Sequence, residues 1–384
     1  MKFNPRIVML IILLLTVFSS INLYIGWHIT SWFDAVGIKY EPMLFWVIFG
    51  IIVYGYIGGR IPFPKIFKPI GRFLKVLGSY YVFVFEIGFF LFLLVDIAGL
   101  FVFWIEGNME LYLIYAGSAV LAIIAFMLSL GSWNAWSPVI RKYEVEVNKS
   151  IAGVDKKWVI AVASDFHLGN VVGNKHLKRL VTRVNAMKPD LILLPGDVID
   201  DSIEPFLRNN MSKALGELQS KHGIYAVLGN HEYYGGHAEQ YIEEMNKVGI
   251  QVLLDETVEI AGGLYVAGRK DKTAESPDST GRLEVKELIG SLDATKPIIL
   301  MDHQPTKFDK AAEAGADVLL CGHTHRGQFI PNHLFTKRLF ELDWGYLRKE
   351  AMHVIVSSGF GTWGPAIRIG SRSEIIRLEI NFSS

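Results

Sequence analysis

At 384 residues the chain has room for two or three domains, and 51% of it is hydrophobic, a high share for a wholly soluble protein. Its 38 basic and 38 acidic residues cancel; with no basic stripe large enough to neutralise many phosphates, nucleic acid is excluded as the main partner. A single cysteine, Cys321, rules out an internal disulfide and fits a reducing compartment.

Charge is unevenly spread. Residues 1–140 hold eight of the basic and six of the acidic residues. Four apolar runs in that stretch, at about 7–26, 42–59, 82–105 and 111–133, approach the roughly 20 residues needed to cross about 30 Å of hydrocarbon. The first run is too long for the apolar core of a signal peptide and lacks an Ala-x-Ala-like exit, so an uncleaved helix is expected. Residues 1–140 therefore read as a four-helix transmembrane region. The third run carries Glu86 and Asp96, and ionisable groups at that depth are costly. Two readings stand for them: a structural one, with Asp96 bonded to a neighbouring helix, and a substrate or ion role.

Lys2 and Arg6 precede the first run, Arg60, Lys65, Lys68, Arg72 and Lys75 lie between the second and third, and Arg141 and Lys142 follow the fourth. The opposite loops offer Lys39 in one and only Glu106 and Glu110 in the other. The positive-inside rule then predicts a multi-pass protein of the cell membrane, with both termini and the half after residue 140 in the cytoplasm. Within residues 60–81, Phe63, Ile66, Phe67, Ile70, Phe73, Leu74 and Leu77 interleave with bases at near-helical spacing. That pattern predicts a basic amphipathic helix, lying on an anionic leaflet or packed on protein.

After Ser137-Pro138, short apolar runs alternate with amphipathic segments, the pattern of α/β proteins. Tyr143, Val145 and Val147 alternate as a strand, and residues 174–187 have helical periodicity. Runs at 158–163, 191–194, 224–228, 298–301 and 318–321 read as strands, and each leads directly into ligand-type residues. They are Asp165-Phe166-His167, Gly196-Asp197, Gly229-Asn230-His231-Glu232, His303 and Gly322-His323-Thr324-His325. In open α/β sheets the carboxyl ends of strands converge on one crevice. Carboxylate, amide and imidazole donors without thiolate suit Mn, Fe or Zn, and a shared carboxylate can bridge two ions for in-line displacement at phosphorus. Cys321, in a strand before Gly322, reads as a core thiol. Histidines 28, 176, 222, 237, 333 and 353 have no motif context and read as structural or solvated.

The ordered motifs resemble those of the calcineurin-like metallophosphoesterase superfamily, and in particular of its bacterial membrane-associated members, over roughly residues 142–382. That resemblance implies a four-layer αββα sandwich across residues 141–384, with two divalent metal ions (Mn, Fe or Zn) at one edge. One ion would take Asp165, His167, Asp197 and His325, the other Asp197, Asn230, His303 and His323, with Asp197 bridging. It also implies His231 as the catalytic imidazole. Asp200 and Glu232 are the candidates to hydrogen-bond His231, and Asp200 reads as orienting groups around the ligands rather than binding metal. Arg326 departs from the glycine common at that place in related members. It reads equally as a phosphate clamp or a solvated residue. Residues 359–365 and Arg368 match a glycine-rich region of these relatives, expected near substrate.

Residues 329–347 are unusually apolar for a loop region and read either as core or as a surface dipping into the membrane beside the site, aided by Lys337 and Arg338. The expectation is a membrane-anchored phosphoesterase acting through a metal-bridging hydroxide, with the lipid bilayer as partner and a lipid-linked or lipid-like phosphodiester as substrate. The alternatives are a soluble nucleotide or phosphomonoester substrate, with the membrane as anchor only, and a non-catalytic membrane scaffold of this fold.

Overall fold

A computed structural model describes residues 5–61, 63–151, 157–276 and 281–383. The chain divides into two compact units, one up to Leu130 and one from Gly131 onward.

The first unit is helical: α1 (Pro5–Ala35), α2 (Pro42–Gly58), α3 (Lys68–Trp104) and α4 (Met109–Trp136). Among the described residues, α1, α3 and α4 are long and apolar enough to cross a membrane. The helix α2, at 17 residues, spans about 25 Å, just short of the hydrocarbon core. The four expected spans are thus three long helices and a shorter one. The separate amphipathic helix over 60–81 is not formed. A 3-10 turn at Lys65–Phe67 runs into α3, which continues for 37 residues. With Pro69 in its first turn, where the missing N–H costs nothing, α3 starts at Lys68 and meets no breaker before Trp104. Lys2 and the Lys65 side chain lie outside the described residues. The helices α2 and α3 meet backbone to backbone: a Cβ on Gly78 would lie 2.0 Å from Tyr56 N, the close approach that small residues permit between apolar helices. Asp96 of α3 accepts a 2.5 Å hydrogen bond from Tyr24 of α1, with His28 Nε2 3.3 Å away.

The second unit contains strands β1 (Val139–Val147), β2 (Lys157–Val162), β3 (Leu191–Pro195), β4 (Ile224–Val227), β5 (Ile250–Val252), β6 (Glu256–Ile260), β7 (Leu264–Gly268), β8 (Ile298–Met301), β9 (Val318–Cys321), β10 (Gly345–Lys349), β11 (Met352–Val356) and β12 (Glu374–Phe382). They form two six-stranded sheets, ordered β1-β12-β2-β3-β4-β5 and β10-β11-β9-β8-β7-β6. The strands β2, β3, β4 and β5 run parallel to one another, as do β7, β8, β9 and β11, whereas β12 is antiparallel to β2 and β6 to β7.

Alternation explains the layers. In β3, Leu191 and Leu193 join a core shared by the two sheets, while Ile192 and Leu194 join a second core on the other face. A strand buried on both faces reads as an unbroken apolar run. The outer face of the first sheet is covered by α5 (Asn174–Ala186), α6 (Glu204–Arg208), α7 (Met211–Leu215), α8 (Asn230–Tyr234) and α9 (Ala238–Lys247). Leu177, Leu180, Val181 and Val184 of α5 recur at helical spacing on the buried side. The second sheet is covered by α10 (Val285–Ile289) and α11 (Phe308–Glu313). The result is the expected four-layer αββα sandwich. A last helix, α12 (His333–Leu339), buries none of its residues.

By contacts the second unit begins at Gly131. Gly131 O accepts from Arg368 N at 2.9 Å, and Asn134 Nδ2 donates to Arg368 O at 3.1 Å, so the last turn of α4 belongs with the second unit.

Candidate metal centre

Parallel strands bring the predicted residues to one edge. The strand β2 leads to Asp165 and His167, β3 to Asp197, β4 to Asn230, β8 to His303 and β9 to His323 and His325. Backbone bonds extend the register into the loops: Asp165 N–H donates to Gly196 O at 3.0 Å, His167 N–H to Asp197 O at 3.1 Å and Gly322 N–H to His303 O at 2.9 Å.

The loops turn sharply. Asp165, His167, Asp197, His323 and His325 have φ of 54°, 47°, 53°, 74° and 49°. Non-glycine residues rarely adopt this left-handed region, and such strain gathers where function over-determines the backbone. Close approach adds to it. A Cβ on Gly229 would lie 2.1 Å from Asp197 Oδ1, so only glycine lets these two loops pack.

Two groups result. The ligand atoms of Asp165, His167 and His325 all lie within 4.8 Å of one another, as do those of Asp197, His303 and His323. In the first, His325 Nε2 is 2.8 Å from His167 Nε2 and 3.5 Å from Asp165 Oδ1. In the second, His303 Nε2 is 3.0 Å from Asp197 Oδ2, and His323 Nδ1 is 2.9 Å from Asn230 Oδ1. Asp197 links the two, its Oδ2 also standing 3.9 Å from His167 Nε2.

This donor set fits divalent cations. Burial pushes the His167 and His323 imidazoles down to about 4 and His325 well below its ordinary value, so these rings are neutral, the form that binds metal. Burial, reinforced by the Asp197 carboxylate, pushes Asp165 up to about 6. Such crowding of carboxylates is what a cation relieves. The ring of His303 is fixed by its Nδ1 contact with Pro195 O at 2.8 Å. Its other ring nitrogen, Nε2, is buried and faces Asp197 Oδ2. Burial opposes the imidazolium there, but Asp197 outweighs it and raises His303 well above the ordinary value. A proton and a metal ion compete for that same nitrogen.

Supporting groups hold the ligands from behind. Glu232 accepts the backbone N–H groups of Asp197 at 3.1 Å, Ile199 at 2.9 Å and Gly229 at 2.7 Å, stapling two ligand loops together. Ser164 Oγ donates to Asp165 Oδ2. Arg368, expected near substrate, is fully buried instead. Its Nη2 donates to the carbonyls of Ser358 at 2.6 Å and Gly361 at 2.7 Å and lies 3.3 Å from His325 Nδ1.

His231 bonds neither of its expected partners through Nδ1; that nitrogen donates to Asp201 Oδ1 at 2.7 Å. Burial opposes its charged form, but the Asp201 bond and the charges of Asp197, Asp201 and Asp200 prevail and raise it to about 9. The Asp200 carboxylate lies within 4.8 Å of the ligand atoms of His167 and His231, a third such group beside the two. Asp201 was not singled out by sequence; the only signal was its position beside Asp200. Arg326 is half-buried and stacks its guanidinium 4.0 Å from the Trp344 ring centroid. Cys321 is a buried free thiol in the outer-face core of the second sheet, apart from both ligand groups.

Comparison with known proteins agrees with this geometry. The calcineurin-like phosphoesterase family model matches residues 159–327. An uncharacterized metallophosphoesterase of Aquifex aeolicus is 32% identical over 243 residues, which is 63% of this chain and 91% of the relative. One from Campylobacter jejuni is 31% identical over 284 residues, 71% of each chain. A transmembrane protein with metallophosphoesterase domain from Danio rerio is 29% identical over 269 residues, 67% of this chain and 61% of that one.

Proposed function

The chain belongs to the calcineurin-like metallophosphoesterase family, and from that premise we propose a membrane-anchored hydrolase that uses two divalent cations to cleave a lipid-linked or lipid-like phosphodiester. The observation that carries this reading is the pair of buried ligand groups joined through Asp197. Asp165, His167, Asp197 and His325 would hold one cation, and Asp197, Asn230, His303 and His323 the other. Manganese, iron or zinc held there supplies an activated water and charge neutralisation for displacement at phosphorus, without a phosphoenzyme. His231, kept protonated by Asp201, donates a proton to the leaving alkoxide. Asp200 orients His167 and His231, Glu232 fixes the Asp197 and Asn230 loops, and Arg326 borders the substrate.

A lipid substrate is supported by the apolar spans, which keep the enzyme where such esters reside. The basic residues flanking the helices support a membrane region up to about residue 140, with the catalytic domain and both termini in the cytoplasm. The test is hydrolysis by the full chain in lipid nanodiscs, stripped of metal and then reloaded, against phospholipids, lipid-linked sugar phosphates, nucleotides and soluble aryl esters. Metal-dependent turnover, highest on the lipid diesters, is expected. Faster turnover of nucleotides would overturn the substrate class, and a metal-loaded protein inert toward every ester would overturn the enzyme.

A further inference from the structure

Residues 330–344 join the ligand loop to β10 and depart from the inside-out rule. The face of α12 that carries Leu334, Phe335 and Leu339 is 60%, 65% and 76% exposed at those positions. At about 100° per residue these three and Arg338 share one arc of roughly 140°. Thr336, on the other side, donates to Asp343 Oδ2 at 2.7 Å and so fixes which face looks outward. Ile330 and Trp363 add exposed apolar surface from the flanking loops, and Trp363 is tied to the ligand loop through Gln328, whose Oε1 accepts its N–H at 2.8 Å. Lys337 and Arg338 close the last turn and are exposed.

This face adjoins the candidate centre. Thr324 Oγ1, between the two histidine ligands, accepts Arg326 N–H at 3.2 Å and donates to the Asp343 carbonyl. The ring of Phe340, just past α12, is 6.0 Å from the His323 ring. Large side chains held outward on a hydrogen-bonded helix gain nothing from water. Apolar surface bordered by bases matches hydrocarbon beneath anionic headgroups. The same chain carries helices long enough to span a bilayer.

We propose that α12 is an interfacial helix that inserts Leu334, Phe335 and Leu339 into an anionic bilayer and so presents membrane-resident phosphodiesters to the adjoining centre. The presentation step rests on the phosphoesterase reading; the insertion does not. The test uses the full chain in nanodiscs of phosphatidylcholine with and without phosphatidylglycerol. A fluorophore on Leu339→Cys should be quenched by lipids carrying a shallow spin label, more strongly in the anionic discs. The triple variant Leu334→Ser, Phe335→Ser, Leu339→Ser should keep its rate on a soluble aryl phosphodiester within about twofold, while its KM for a disc-embedded phosphodiester rises about tenfold or more. Lys337→Glu with Arg338→Glu should abolish the preference for anionic discs. An unquenched probe, or a cross-link between Leu339→Cys residues of two copies, would overturn the insertion. Quenching with an unchanged lipid KM would overturn the presentation. Loss of turnover on both substrates in the unsubstituted protein would instead strike the phosphoesterase reading and leave the quenching result standing.

Discussion

Two neighbouring stretches of this chain reverse the usual distribution of residue types in opposite senses. Residues 322–328 bury His325 and Gln328 and half-bury His323, on a backbone with φ of 74° at His323, 49° at His325 and 58° at Gln328. A few residues later, α12 buries nothing and displays leucine and phenylalanine outward. The first stretch tolerates polar burial because its groups are paired: Gln328 Nε2 donates to the carbonyls of Trp363 at 2.9 Å and Pro365 at 3.1 Å. The second needs no compensation inside the protein, since exposed apolar side chains merely forgo a gain. Both departures have the same kind of cause, a surface shaped for something outside the chain: cations in one case, hydrocarbon in the other.

The largest expected effect is on the polar side. Loss of an outer hydrogen-bond partner at metal sites costs about 10–100-fold, so Asp197→Asn, which removes the carboxylate shared by both ligand groups, should lower turnover by at least about 100-fold and reduce bound metal. Metal analysis and hydrolysis rates on the same sample check it. Full metal content and full activity in this variant would dissolve the polar half of the comparison.

Stability should separate the apolar half from a true core. Leu193, fully buried in the core between the sheets, should cost about 2–5 kcal/mol on truncation to alanine. Leu339→Ala should stay within about 0.5 kcal/mol of the parent. Denaturant unfolding of the full chain in detergent reads both. Equal losses would mean that α12 packs as core and is no free surface.

Asp201 sharpens the polar side further, because it acts through His231. Asp201→Asn keeps the shape but removes the charge that helps hold the imidazole protonated. Turnover should fall about 10–100-fold with metal content unchanged. The alkaline limb of the rate profile should move to lower pH, since the imidazolium is then lost earlier as pH rises. A fall in rate without movement of that limb would make Asp201 merely structural.

Much of this centre was legible because parallel strands buried on both faces must be continuous apolar runs, and each run ended at an aspartate, asparagine or histidine. Strand ends of one direction converge on one crevice, which points Asp165, Asp197, Asn230, His303 and His323 to one edge. The partner of His231 was not legible. Asp200 occupies the motif position, and only the φ of 51° at Asp201, a feature with no local sequence mark, accompanies its contact with the imidazole. The continuity of α3 was hidden for a different reason. Its amphipathic first turns and its apolar remainder carry distinct patterns, yet nothing between them breaks a helix. The segment 329–347 left core and surface equally open, because apolar content says which residues avoid water and not which succeed: Phe329 is buried while Leu334 is not.

The smallest effect concerns a carboxylate neutralised by the protein's own cations, the counterpart of Asp197. Glu379 of β12 is buried, with Lys157 Nζ at 2.7 Å, Arg377 Nε at 2.8 Å and Lys142 Nζ at 3.0 Å. The hydrogen bonds from Lys157 and Arg377 lead in drawing its carboxyl from 4.5 down to about 2. Because the folded value lies below the unfolded one, the stabilisation is complete above about 4.5 and is lost as pH falls toward about 2. Both lysines are about half exposed, so screening keeps the gain near that of surface pairs, about 0–1 kcal/mol. Glu379→Gln should therefore flatten the acid limb of the stability curve, seen as a smaller shift in unfolding midpoint on acidification than the parent shows, while metal content and turnover at neutral pH stay unchanged. A change in metal binding would show that the two carboxylates are coupled across the sheet, and the line between protein-neutralised and cation-seeking acids would have to be redrawn.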